Sequence, residues 1–172
     1  ITTKNRHGET VSIRDGRGIT DTYSYNKNGQ LIQTVQDAGS GKLNLITSEN
    51  TYTSAGQVFE TKDARGTVTR YQYDAVGRVF TRTLDPTGLN LTTTYLYDAL
   101  GQTAWVRDAL GVWTQTTFDK KGQVTQVAVD PTNVPDPANL NGALIANTGG
   151  LNLRTGYTYD GLGRTLTVVT GE

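Results

Sequence analysis

One pattern is written along the chain again and again: Tyr-x-Tyr-Asp, two residues, Gly, then Arg or Gln. It is clearest in Tyr71-Gln72-Tyr73-Asp74 with Gly77-Arg78, in Tyr95-Leu96-Tyr97-Asp98 with Gly101-Gln102, and in Tyr157-Thr158-Tyr159-Asp160 with Gly163-Arg164. Looser copies are Tyr23-Ser24-Tyr25-Asn26 with Gly29-Gln30, Asn50-Thr51-Tyr52-Thr53 with Gly56-Gln57, and Thr116-Thr117-Phe118-Asp119 with Gly122-Gln123. A degenerate copy, Asn5 with Gly8-Glu9, opens the chain. The motif glycines stand at 8, 29, 56, 77, 101, 122 and 163, so the steps are 21, 27, 21, 24, 21 and 41. All nine tyrosines fall on motif positions. A base period of 21 with insertions constrains the fold more than composition does, because a unit that short cannot bury its own apolar face and must stack on its neighbours.

A second element lies between the tyrosine motifs. Asp-x-x-Gly occurs at Asp15 to Gly18, Asp63 to Gly66, Asp85 to Gly88 and Asp108 to Gly111, with Asp130-Pro131-Thr132-Asn133 as a variant. Asp or Asn first and Gly fourth is the preference of a type I turn, in which the carboxylate accepts a backbone N–H and Gly takes the left-handed residue that follows. Each repeat therefore carries two turns. From 63 to 130 the turn-opening Asp residues step by 10 to 13, which leaves about seven residues per segment, a usual strand length. The segments alternate: Thr67, Thr69, Tyr71 and Tyr73 oppose Val68, Arg70 and Gln72, and Val112, Thr114, Thr116 and Phe118 oppose Trp113, Gln115 and Thr117. Thirty threonines suit a pleated, half-solvated surface. The expectation is an all-β chain, a meander of about 12 or 13 antiparallel strands forming a curved, open sheet, with sequence neighbours paired in space.

The reading covers residues 1–172 as a single array of six to seven repeats. The 41-residue step holds three of the four prolines, so 131–150 is expected to loop out of the sheet; within it, 138–146 is the one stretch with a helical reading. A length of 172 allows burial of roughly two-thirds of the unfolded surface. Charge is balanced, with 16 Lys+Arg against 16 Asp+Glu, which gives no electrostatic footprint for nucleic acid or anionic lipid. No apolar run approaches the ~20 residues of a membrane span. Without cysteine there is no disulfide framework, thiolate metal site or thiol nucleophile. Since the chain starts at Ile1 and contains no Met, it reads as a piece of a longer polypeptide with no targeting signal of its own.

The repeated motif resembles the YD (tyrosine-aspartate) repeats of Rhs proteins, of the C components of bacterial insecticidal toxin complexes, of wall-associated proteins and of teneurins. The resemblance rests on Tyr71, Tyr73, Asp74, Gly77 and Arg78 with their copies, and spans essentially the whole chain. It implies a long sheet spiralling into a hollow shell that, in bacterial members, encloses a C-terminal toxic polypeptide. The partners it implies are the remaining repeats of the parent and an enclosed toxin, and the location it implies is secreted or cell-surface, in a bacterial exported protein; lack of cysteine leans away from the animal members. The chain-cleaving terminal core region of some members is not seen, and Asp85-Pro86-Thr87-Gly88 and Asp130-Pro131 read as repeat turns.

Each chemistry-bearing residue also has a place in that structural role. His7 is the one proton shuttle near neutral pH, yet it sits in a turn of the most degenerate repeat. A triad would need Ser12, Ser24, Ser40, Ser48 or Ser54 beside it, and no Gly-x-Ser-x-Gly elbow presents one. The Asp positions recur with the strand period, as turn residues should. Asn26-Lys27-Asn28-Gly29 lacks the distal Glu of a calcium loop. No cofactor, metal or catalytic residue is expected, and Tyr23, Tyr25, Gly29, Tyr52, Gly56, Tyr71, Tyr73, Asp74, Gly77, Arg78, Tyr95, Tyr97, Asp98, Gly101, Phe118, Asp119, Gly122, Tyr157, Tyr159, Asp160, Gly163 and Arg164 are assigned to the structural motif. Arg78 and Arg164 should lay their stems over tyrosine faces and pair with nearby carboxylates. The functional expectation is a non-enzymatic scaffold; the alternative is an adhesion or carbohydrate-binding module whose tyrosine rows, with Trp105 and Trp113, stack on glycans. An enzyme ranks third and would require His7 and a carboxylate to converge in a pocket.

Overall fold

The computed structural model describes residues 1–140 and 143–171, so residues 141 and 142 of the expected insertion lie outside the described residues. The chain divides into two units, residues 1–91 and 92–172. The first consists of eight strands: β1 Thr2–Lys4, β2 Thr10–Arg14, β3 Thr20–Tyr25, β4 Leu31–Gln36, β5 Leu45–Tyr52, β6 Val58–Asp63, β7 Val68–Tyr73 and β8 Val79–Leu84. Each pairs antiparallel with the next. The second unit is built from β9 Leu91–Tyr97, β10 Thr103–Arg107, β11 Trp113–Phe118, β12 Val124–Val129, β15 Leu153–Tyr159 and β16 Thr165–Gly171, again paired in chain order. The fold is an all-β, open meander, as the alternation predicts. The insertion carries a small ladder instead of a helix: β13 Asn133–Pro135 pairs with β14 Leu144–Ala146. Because β12 pairs directly with β15, the meander continues past it.

The strand segments are bounded by turns of two kinds. In the motif turns and in the Asp15, Asp63 and Asp108 turns, the Gly amide bonds the carbonyl of the opening Asp or Asn (Thr53 in one motif turn), and that residue's amide bonds the carbonyl four positions on. An opening Asp or Asn side chain then accepts two more amides, whereas Thr53 Oγ1 accepts that of Gln57. Asp74 Oδ1 takes Val76 N at 3.0 Å and Arg78 N at 2.9 Å, and Asp98, Asp119 and Asp160 do the same. Gly77 has φ +87° and the ladder slips by one residue between Gln72 and Tyr73; this is a type I turn closed by a glycine bulge, which matches the twist of the flanking strands.

The second kind differs from the sequence expectation. At Asp85 to Gly88 it is Asp85 that is left-handed, φ 51°, together with Asn90, φ 51°. Pro86 disfavours the right-handed conformation at Asp85, and the loop closes two residues later, where Asn90 N bonds Asp85 O and Leu89 N bonds Asp85 Oδ2. Asp37 with Asn44, and Asp130 with Asn152, repeat this clasp: both residues of each pair are left-handed, the Asn amide returns to the Asp carbonyl, and the intervening leucine amide returns to the carboxylate. Tight turns at 15, 63 and 108 thus alternate with clasps at 37, 85 and 130, so the structural period is two sequence repeats, or 45 to 48 residues.

Little of the sheet is buried. The accessible surface is 11223 Å², against about 8,200 Å² for a typical folded chain of this mass and about 27,000 Å² unfolded, so about 58% is buried, short of the two-thirds that length alone allows. Trp113, Ala128 and Val134 are the buried hydrophobic side chains among the described residues, all in the second unit, and Pro135 is fully covered as well. In the first unit Thr69 and Thr81 are buried. A single pleated layer leaves both faces half wet, so the structure is held chiefly by ladder, turn and joint hydrogen bonds.

Candidate functional site: the joints between repeats

The two tyrosines of a motif, at i and i+2, project from one face of a strand. All nine are half-buried, while Ser24, Thr51, Gln72 and Thr158 between or beside them are exposed on the other face. The second tyrosine makes the specific contact. Tyr25 Oη donates to Thr10 O at 2.8 Å, Tyr52 to Leu31 O at 2.6 Å, Tyr73 to Val58 O at 2.7 Å and Tyr159 to Val124 O at 2.7 Å. Every acceptor stands two residues after the motif glycine of the preceding repeat. Burial, with Tyr71 adding to it, pushes the Tyr73 hydroxyl above its usual pKa, which keeps it a donor.

A second bond runs the other way across the same joint. The glutamine after the motif glycine donates Nε2 to the motif glycine carbonyl of the next repeat: Gln30 to Gly56 and Gln57 to Gly77 at 2.8 Å, and Gln123 to Gly163 at 3.4 Å. A Cβ at Gly77 would stand 3.1 Å from Gln57 Nε2, and one at Gly122 2.9 Å from Gln102 Nε2, so the glycine serves both the left-handed turn and the close approach. The last joint survives the 131–150 insertion, since Tyr159 and Gln123 still reach their partners 35 and 40 residues away.

Four residues depart from this scheme. Phe118 holds the second-tyrosine place without a hydroxyl. Glu9 holds the glutamine place; its Oε2 takes Asn5 Nδ2 at 2.6 Å, but its Oε1 lies 2.8 Å from where a Gly29 Cβ would be, the spot an amide nitrogen fills elsewhere. Arg78 and Arg164 also hold it, and each bonds its own motif aspartate, Arg78 Nε to Asp74 at 2.7 Å and Arg164 Nε to Asp160 at 2.6 Å. Burial works to raise the Asp74 pKa, but the Arg78 amide and guanidinium and the Val76 amide outweigh it and hold it below the usual carboxylate value. At Asp160 the Arg164 amide, followed by the Arg164 guanidinium, does the same.

The first tyrosines, Tyr23, Tyr71, Tyr95 and Tyr157, show no hydroxyl hydrogen bond. Trp105 and Trp113 pack edge to face, centroids 6.1 Å apart at 87°, with Trp113 only 3% exposed, so one indole is unavailable to a sugar. His7 and Glu9 both line an open depression of about 710 Å³ with Asn5, Val11, Tyr23 and Tyr25. The Glu9 carboxylate is engaged by Asn5 there, and the His7 backbone amide is bonded to Asn5 Oδ1 at 2.9 Å. Asn26 of the calcium-loop-like stretch caps its own turn through Asn28 N and Gln30 N. Among the described residues no three His, Asp or Glu side chains gather as a metal would require.

The arrangement defines an array of β-hairpin repeats in which side chains of one repeat bind the backbone of the next. Residues 52–89 match the family described as RHS Repeat, and the same turns and joints recur on both sides of that stretch. No curated protein matches it by sequence. Among solved structures it resembles a chain of the Photorhabdus luminescens Tc holotoxin pore, with a TM-score of 0.74, 17% identity and coverage of 99% of this chain and 9% of that one. It also resembles a chain of TcdB2-TccC3, with a TM-score of 0.62, 18% identity and coverage of 100% and 10%, and one of TcdB2-TccC3 without its hypervariable C-terminal region, at 0.62, 18%, 99% and 10%. At such identities the likeness is one of fold. The chain spans about a tenth of the length of the chains it matches.

Proposed function

We propose that the chain is a non-enzymatic structural scaffold, a segment of a YD-repeat β-shell that in its parent protein walls off or presents a toxin or effector polypeptide. The observation that carries this reading is where the motif's chemistry goes. Tyrosine hydroxyls, glutamine amides and aspartate carboxylates are directed at backbone groups of their own or the neighbouring repeat. A site for substrate needs such groups converging on open space; here they converge on the chain itself. The likeness to chains of Tc toxin complexes supports a parent of that kind, with further repeats and an enclosed polypeptide as partners and an exported bacterial protein as context.

A second reading rests on one feature, the first tyrosines with uncommitted hydroxyls, Tyr23 and Tyr71 in the first unit and Tyr95 and Tyr157 in the second, whose rings within either unit offer stacking partners to sugars. Titration of the chain against a glycan panel separates the two: the scaffold gives no saturable binding, whereas a saturating glycan whose affinity falls in Tyr71→Ala would make this a recognition module. In the parent, protease should cut surface loops while an enclosed polypeptide stays intact until denaturant opens the array; immediate digestion of that polypeptide would end the encapsulation reading.

A further inference from the structure

We propose that the groove between the Asp15 turn and the Asp37 clasp binds an arginine side chain of a partner polypeptide, with the stem on an apolar wall and the guanidinium on Asp21 and Asp37. The starting point is a departure from the repeat. Four residues before the second-tyrosine place stand Ser48, Thr69, Thr93, Thr114 and Thr155 in the later copies, but Asp21 in this one. Its carboxylate changes the clasp it faces. In the other two clasps the aspartate amide returns to a backbone carbonyl, Asp85 N to Val68 O and Asp130 N to Trp113 O, each at 2.8 Å. Here the matching carbonyl, Thr20 O, takes Ala38 N at 2.7 Å, and Asp37 N turns to Asp21 Oδ1 at 3.3 Å. Two carboxylates are thereby drawn together where the other clasps have an aspartate beside a threonine.

Their charge is poorly met from within the chain. Among the described residues no lysine or arginine forms an ion pair with Asp21, and Lys42 Nζ stands 3.8 Å from Asp37 Oδ1, an oxygen that is buried without a hydrogen-bond donor. A buried acceptor left without a donor is uncommon in folded chains and marks a place where a donor from outside is stabilised. Both aspartates line a groove of about 380 Å³ whose apolar wall is Ile13, Ile19, Leu43 and Leu45; Ile13, Leu43 and Leu45 are 42%, 82% and 45% accessible. Asp15 and Arg17 complete the lining and already pair with each other at 3.0 Å, so the remaining charge is negative. Apolar surface next to unneutralised carboxylates is complementary to a cation on an apolar stem. Guanidinium fits it better than ammonium does: it is more weakly hydrated, so it gives up less on leaving water for a leucine wall, and its planar fork reaches two carboxylates at once.

The test is a titration of the chain with N-acetyl-arginine amide, followed by amide chemical shifts. Saturable shifts are expected at Asp37, Ala38, Leu43 and Leu45, and the N-acetyl-citrulline amide, which has nearly the same shape without the charge, should bind about tenfold more weakly. Asp21→Asn keeps an acceptor for the Asp37 amide and removes the charge; it should also weaken binding about tenfold, with the amide spectrum of β6 to β8 unchanged to show a folded chain. Lys42→Gln removes the competing cation and should tighten binding. An arginine probe that never saturates, a citrulline probe that binds equally well, or an Asp21→Asn chain that binds like the parent would each overturn the proposal. Equal affinity for N-acetyl-lysine amide would overturn its choice of guanidinium. None of these results touches the tyrosine joints, so the scaffold reading stands or falls separately.

Discussion

At residue scale the joints make unequal demands on side chains. Tyr73→Phe keeps the ring and removes only the bond to Val58 O, so it should cost about 0.5–1.5 kcal/mol, read as a lower denaturant midpoint with unchanged slope. The same scheme predicts two gains. Phe118→Tyr should add a hydroxyl bond to the Thr103 carbonyl, two residues after Gly101, and Glu9→Gln should supply the donor that the first joint lacks; each should stabilise by up to about 1 kcal/mol, and a midpoint unmoved or lowered in both would sink the joint account. The pH response follows from the turns. The Asp74 and Asp160 carboxylates titrate below their ordinary value, so their contribution is present above the unfolded pKa near 3.8 and is lost as pH falls through the depressed native values. Tyr73 titrates above its ordinary value, so its contribution is present below pH 10 and lost as pH rises past it. Thermal unfolding at acid, neutral and alkaline pH should therefore show a plateau with losses at both ends. The donors of these bonds were legible as letters in the sequence, because tyrosine, glutamine and aspartate recur at fixed places. Their acceptors were not: a backbone carbonyl carries no letter, and only the register of β6 against β7 says that Val58 is the one Tyr73 meets.

At the scale of elements the turns do the organising. Strand positions followed from period-two alternation and from Asp-x-x-Gly, and the tight turns and motif turns formed as that signature requires. The clasps have no fixed-spacing signature, because their closing residue lies at a variable distance: Asn44, Asn90 and Asn152 follow their aspartates by 7, 5 and 22. A signal was nonetheless present, since Leu43-Asn44-Leu45, Leu89-Asn90-Leu91 and Leu151-Asn152-Leu153 repeat one triplet three times. A clasp fixes the two ends of a loop and leaves its contents free, and loop length itself costs only about 0.6 kcal/mol per doubling. Replacing residues 131–151 with the four-residue content of the Asp85 clasp, Pro86 to Leu89, should leave the β12–β15 register intact. Disappearance of the cross-strand amide contacts between Gln126 and Gly156 in spectra of the shortened chain would show that the insertion, and not the clasp, sets that register.

At the scale of the whole molecule, stability in a linear array is close to a sum over units and nearest-neighbour joints. Native-state amide exchange should accordingly be graded, fastest in β1 and β16, whose residues are all exposed, and slowest around the buried Thr69 and Thr81 of β7 and β8. Uniform protection from end to end would mean a single cooperative block. That the chain is a repeated β-meander was readable from tyrosine placement alone; that its surface is about a third larger than a compact chain of its mass would have was not, because length sets how much can be buried and only the single-layer arrangement sets how much is. The thin core has an evolutionary consequence. Where side chains interlock in a dense interior, a change at one site forces compensation at others, and divergence slows. Here most positions answer only to alternation and to a handful of bonds aimed at the main chain, whose atoms are the same in every residue. The same fold can then be written in very different letters, as 17% identity at a TM-score of 0.74 illustrates.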